Sequence, residues 1–171
     1  MTVHFSGGTS ISSGTSGGGI PFSSYAILAD QKSYNVNGGT ATGGNWRVRD
    51  LNEELSDPDG IVSLSSNQFT LQAGTYLIEI FAPTYKVART FLKLYNTTDS
   101  STIQGGSSAY AGSGDSVGHT LTFFRRITIS SAKSFRVEQY PTNTEGTFGF
   151  GVAHDVGGYV NYYTIVKIYK E

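Results

Sequence analysis

Residues 67–83 read NQFTLQAGTYLIEIFAP. Phe69 and Leu71 point one way, Ala73-Gly74 turns the chain, and Tyr76, Ile78 and Ile80 share one face of the next strand. A period of two marks extended backbone, because successive side chains of a strand point to opposite sides. The alternation continues in both directions. Leu92 and Leu94 oppose Phe91, Lys93 and Tyr95, while Trp46, Arg47, Val48 and Arg49 alternate after two Gly-Gly pairs. LTFFRRITISSAKSFRVEQY (121–140) reads as a hairpin. Leu121, Phe123, Ile127 and Ile129 share a face, SSAK turns, and Phe135 and Val137 return to that face. SYAILAD (24–30) supplies a first apolar strand, and DLNEEL (50–55) is expected to make one helical turn. No stretch sustains a helical apolar period, and no segment repeats. Short strands parted by Gly, Asp and Ser turns predict an all-β fold, an antiparallel sandwich or jelly roll.

Composition narrows the function classes. At 171 residues the chain makes one domain, or one domain plus an arm. Twenty-two glycines and eleven tyrosines favour strands and tight turns. Charged residues are only 15% of the chain and the net charge is −1. That balance argues against an electrostatic grip on nucleic acid or an anionic membrane, which needs a basic face. With no cysteine, neither a disulfide framework nor a thiolate metal site exists. The N-terminus lacks the charged-then-apolar pattern of a secretion signal. No apolar run approaches the ~20 residues that span a bilayer, so membrane insertion is not expected.

Two segments point to partners. In residues 1–24, every position from Ser6 to Gly19 except Ile11 is Gly, Ser or Thr, punctuated overall by Val3, Phe5, Ile11, Ile20 and Phe22. Such a stretch is a flexible coil by composition, and glycines let it lie close to another surface. It reads as an extended anchoring arm whose five apolar residues are pegs. The terminal strand YYTIVKIY (162–169) is apolar or aromatic on both faces, with Tyr162, Val166 and Ile168 opposite Tyr163, Ile165 and Tyr169. A strand with two apolar faces sits centrally or meets another subunit, and tyrosine favours the latter.

Reaction chemistry is absent from the pattern. His4, His119 and His154 are scattered, and no Gly-x-Ser-x-Gly elbow accompanies the many serines. Glu53, Glu54, Asp57 and Asp59 cluster around a Pro-Gly turn, where solvated carboxylates are ordinary. Calcium at Asp57 and Asp59 is the sharper reading of DPDG, and a plain turn the blander one. Glu79 and Glu138 are candidate structural partners for Arg47, Arg125 or Arg126. Arg125 and Arg126 either lay their stems over aromatic rings or meet a carboxylate from another chain. FGFGVA lacks a third glycine and a following helix, and Asn96-Thr97-Thr98 fits a turn as well as a glycosylation sequon. The expectation is no catalytic residue, no metal and no cofactor.

Several short motifs, in order, resemble a known family. They are NWRVRDLN (45–52), SLSSNQFTLQAGTYLIEIFAP (63–83), LKLYNTT (92–98), FFRRITI (123–129), AKSFRVEQY (132–140), GFGVA (149–153) and the Tyr-rich strand ending KIYKE. Together they are similar to phage-encoded domains related in architecture to the tumour-necrosis-factor (TNF) and complement globular-head jelly rolls, over residues 25–171. The loops ATGGN (41–45) and SSAYAGSGDSVGH (107–119) are more Gly/Ser-rich than that family's habit. The resemblance implies a jelly-roll knob of about ten strands that forms a homotrimer about a three-fold axis. Phe148, Phe150, Tyr159, Tyr163 and Tyr169 then match the aromatics that pack between subunits. It further implies a non-enzymatic virion structural protein, held on the capsid by its arm as a decoration or head fibre. The partners would be other virion proteins, the major capsid protein or a tail component. The alternative is a tail-fibre tip that touches host-surface glycan or protein. Either protein would be exposed on the virion, assembled in the host cytoplasm and released by lysis.

Overall fold

The computed structural model describes residues 22–112, 114 and 116–171. Four of the arm's pegs, Val3, Phe5, Ile11 and Ile20, lie outside the described residues. Twelve strands follow in order: β1 (Ser24–Lys32), β2 (Arg47–Val48), β3 (Glu53–Ser56), β4 (Val62–Ser65), β5 (Gln68–Leu71), β6 (Gly74–Tyr85), β7 (Ala88–Asn96), β8 (Ser101–Ile103), β9 (Ser108–Ala111), β10 (Gly118–Ile129), β11 (Lys133–Pro141) and β12 (Asn161–Lys170). There is no helix among the described residues. The all-β architecture is as expected, and short pairings such as β2 and β8, which carry little apolar signal, bring the count from about ten to twelve.

Two antiparallel sheets face one another. One has five strands in the order β10-β6-β12-β1-β3. The other has β4-β5-β11-β7-β8, with β2 also paired to β11 and β9 to β7. Ala26, Leu28, Tyr76, Ile78, Ile80, Leu121, Phe123, Val166 and Ile168 project inward from the first sheet. They meet Phe69, Leu71, Leu92, Leu94, Phe135 and Val137 from the second. Each Val, Leu, Ile or Phe among them contributes about 1.5–3 kcal/mol when fully buried.

Two local expectations are corrected. Residues 121–140 are not a hairpin: β10 pairs with β6 along its length, from Gly118 opposite Tyr85 to Ile129 opposite Gly74. β11 instead pairs with β7, β5 and β2. SSAK carries the chain from one sheet to the other, so the shared apolar parity reports a common core rather than a common sheet. Nor is DLNEEL helical, because Glu53–Ser56 form β3 against β1. The Asn52 side chain accepts from the Gln31 N–H at 2.8 Å and donates to the Gln31 carbonyl at 2.9 Å, imitating a ladder pair.

The core also holds a cation. Arg49 is 0% exposed and lies between the sheets. Its guanidinium donates to Thr164 Oγ1 on β12 (2.8 Å), Gln139 Oε1 on β11 (3.0 Å), and the carbonyls of Pro83 (3.1 Å) and Phe150 (3.0 Å). The Phe150 ring stacks 4.2 Å from Cζ. Burial pulls the guanidinium down to about 10, and the charges of Asp30 and Asp50 counter that pull. It therefore stays charged at neutral pH. Removing it leaves buried acceptors without donors, each costing about 1–3 kcal/mol. Arg49→Met is expected to lower unfolding stability by about 3 kcal/mol or more, read from the urea midpoint of Trp46 fluorescence. An unchanged midpoint would show that water or neighbouring groups replace those bonds.

Candidate functional site

The face of the five-stranded sheet that points away from the core is built by the same alternation. In β6, Tyr76, Ile78 and Ile80 go inward, so Leu77, Glu79 and Phe81 go outward. The register aligns these with neighbouring strands. One row runs Arg126, Leu77, Tyr169, Tyr25, the next Phe124, Glu79, Lys167, Ile27, and the third Thr122, Phe81, Ile165, Ala29. Phe124 is 50% exposed and Tyr25 43%. Leu77, Phe81, Ile165, Tyr169 and Ile27 are half-buried. Phe81 and Phe124 meet edge to face at 6.3 Å. An antiparallel sheet with one solvated face should be polar there, and this one is not.

Polar groups punctuate the face. Glu79 and Lys167 stand opposite one another at its centre. The Lys167 ammonium lies 5.1 Å from the Phe81 ring centroid. Burial, and then the Glu79 charge, push the Tyr169 hydroxyl up from its ordinary value. At the rim, Arg126 makes a two-pronged clasp with the terminal Glu171 carboxylate, at 2.6 and 2.7 Å. That clasp raises the Arg126 guanidinium and lowers the Glu171 carboxyl, each favouring its charged form. The carboxylate met by Arg126 thus belongs to its own chain. Arg125 is exposed beside an open cleft that Ile103, Ile127, Ile129 and Lys133 also line.

The five aromatics expected between subunits lie in different surroundings. Tyr169 is on the outward face, where Phe22, the one described peg of the arm, packs on it at 5.1 Å. Tyr163 projects from the same strand but is only 4% exposed. Its hydroxyl donates to the Val36 carbonyl at 2.7 Å. Gly151, at φ +132°, presses so close that a Cβ there would overlap the Tyr163 ring. Phe150 is 7% exposed beneath Arg49. Phe148 is half-buried against Tyr85 at 5.3 Å. Tyr159 is 67% exposed on a loop at the far end of the sheet. Phe150 and Tyr163 are therefore already covered by their own chain. The residues that populate the outward face, Leu77, Phe81, Phe124, Ile27 and Tyr25, were legible as the second parity of β6, β10 and β1.

The remaining candidates are occupied by local structure. Asp57 accepts from the Ile61 and Val62 N–H groups, both at 2.9 Å, and Asp59 accepts from Ser24 Oγ. Asp57 thus serves its own turn and Asp59 ties that turn to β1; no group of three potential metal ligands occurs among the described residues. Asn96 is 5% exposed and exchanges side-chain bonds with Asp99, which makes Asn96-Thr97-Thr98 a turn. His154 Nδ1 accepts from Val156 N–H, so Nε2 carries the proton toward the Val160 carbonyl. Glu138 is buried with Lys93 at 2.9 Å and with Arg136, and Trp46 covers the Lys93 ammonium at 3.9 Å.

No protein-family model matches the chain, and no curated protein matches its sequence. Solved structures do. Murine APRIL at pH 5.0 superposes with a TM-score of 0.56 at 8% identity, over 86% of this chain and 98% of that one. Murine APRIL at pH 8.5 gives 0.51 at 9% identity, over 86% and 99%. The globular domain of zebrafish complement 1qA protein gives 0.48 at 14% identity, over 85% and 94%. The fold is a TNF-like jelly roll.

The structure divides the tyrosines of β12 into two roles. Tyr163→Phe is expected to lose about 1 kcal/mol of stability and to speed amide exchange around Val36, with no change in oligomeric state. A change in the number of subunits by native mass spectrometry would instead put Tyr163 in a subunit contact.

Proposed function

We propose that the chain is a non-enzymatic structural knob of a bacteriophage particle, a homotrimer anchored on the capsid through its N-terminal arm. The observation that carries the assembly is the outward face of the five-stranded sheet. It presents Phe124, Phe81, Leu77, Ile165, Tyr169, Ile27 and Tyr25 around Glu79 and Lys167 at its centre, with Arg126 at the rim. Contiguous apolar surface of this kind marks an interaction site. The jelly-roll fold and the family resemblance favour a second and third copy as its cover. The phage setting rests on the motifs in residues 25–171, and the anchoring role on the pegged Gly/Ser leader.

Three arms on one rigid body would act by avidity. Ordering a Gly-rich strap costs about 1–2 kcal/mol per fixed residue, so one strap binds weakly. Linking three raises affinity by about 10²–10⁴ through effective concentration.

One observation favours a second reading, a tail-fibre tip. Ser24 of β1 lies opposite Lys170, and Lys32 opposite Asn161, so the arm leaves from one end of the sheet. The loops at the other end expose Tyr34, Val36, Val152, Val156 and Tyr159. An apolar pole remote from the arm suits contact with host-surface glycan or protein.

Phe124→Asp is expected to convert the assembly to folded monomers, read by native mass spectrometry; an intact trimer would remove this face from the contact. Deletion of residues 1–21 is expected to leave assembly unchanged and abolish retention on particles. Gold-labelled antibody on intact particles decides location. Label over the head supports capsid display, label confined to the tail supports the receptor tip, and no label overturns the virion reading.

A further inference from the structure

The outward face contains two charges that its own chain leaves unmatched. Glu79 and Lys167 are register partners on adjacent strands. Leu77 and Phe81 flank Glu79 along β6, and Ile165 and Tyr169 flank Lys167 along β12. Phe124 and Ile27 continue the row on either side, and Ser56 of β3 follows Ile27. Both charged residues are half-buried, and neither forms an ion pair among the described residues. The Lys167 ammonium instead lies over the Phe81 ring. Elsewhere the chain pairs such groups readily, as Arg126 with Glu171 and Lys93 with Glu138 show.

We propose that Glu79 of one copy pairs with Lys167 of the next, which sets the register and direction of the subunit contact. The inference rests on the assembly reading above and names the polar contact within it. A second copy seated on this face would strip water from both charges. Charges so buried are tolerated only when paired, and breaking one side leaves the other stranded. At its centre the face carries one unpaired acid and one unpaired base among apolar groups, and the Arg126–Glu171 pair at the rim is already matched, so a second copy of the same face is charge-complementary to it. The arrangement is also polar, with the acid on the β10 side and the base on the β1 side. A head-to-tail contact uses that difference, and around a closed ring it repeats the same pair at every junction. Leu or Phe at these positions would bind more greedily but would permit sliding, whereas a charge pair penalises every other register.

Because the protein has no cysteine, crosslinking reads the contact directly. Full-length Glu79→Cys and Lys167→Cys chains with different tags are co-expressed, treated with a short bis-maleimide and run on denaturing gels. Mixed-tag crosslinks are expected from co-expression, with little from either variant alone. Self-crosslinking of Glu79→Cys in preference to the mixed pair would overturn the proposal by placing acid against acid. No crosslink from a preparation whose native mass is still trimeric would also overturn it, leaving the trimer intact. A monomeric native mass for the wild-type chain would instead sink the assembly reading itself. In parallel, Glu79→Lys is expected to weaken assembly by more than about tenfold, and adding Lys167→Glu to restore it. Trp46 fluorescence on the opposite sheet reports that each variant is folded. Failure of the double reversal to restore assembly, with folding intact, would remove the pair.

Discussion

A guanidinium sealed between two β-sheets is a demanding thing to build around. Arg49 must place its donors where only neutral oxygens wait, and those oxygens come from β6, β11, β12 and the loop before β12. Each bond restricts one element relative to another. A purely apolar interior tolerates small slips of one sheet over the other, because dispersion contacts are non-directional. A forked cation with four anchored acceptors does not. The Phe150 ring over the guanidinium joins the long β11–β12 connection to this centre. Gly151 can then sit against Tyr163, and the two loops at that end close over the upper part of β12.

From that interior the outward surface follows. β6 and β12 are central strands of the five-stranded sheet, with a partner on each side. Their inward residues are spoken for by the core, so their outward residues are free to serve association. The opposite sheet is treated differently. On its exterior, Trp46, Phe91 and Tyr140 pack edge to face over the buried Lys93–Glu138 pair, with centroids 5.4–6.0 Å apart from the indole. Aromatics on that side cover a polar pair of the same chain, whereas those on the five-stranded side stand beside charges left open. Both exteriors carry aromatic residues, packed over a polar pair on one side and left open on the other.

Much of this was legible from alternation alone. The strands, their inward parity and the apolar second face of YYTIVKIY all follow from a period of two. Partner choice did not, because parity is the same whether two strands are neighbours in one sheet or face each other across a core. Ile127, Ile129, Phe135 and Val137 illustrate this, since they share a core while β10 and β11 belong to different sheets. Arg49 was illegible for another reason. An arginine in an alternating strand reads as solvent-facing until its acceptors, distant in sequence, are brought around it. The same holds for the sorting of Phe150, Tyr163 and Tyr169. All are aromatic near the C-terminus, and only the path of the preceding loops decides which are covered.

The pairing of β1 with β12 has a mechanical meaning. The chain enters β1 at Ser24 beside Lys170 and runs antiparallel to β12 as far as Lys32. A tether pulling on the leader along the strand axis would load that ladder in shear, straining its hydrogen bonds together rather than peeling them one by one. β3 on the other flank adds bonds that resist in the same direction. The Phe22 ring against Tyr169 lies at the point where such a load would first arrive.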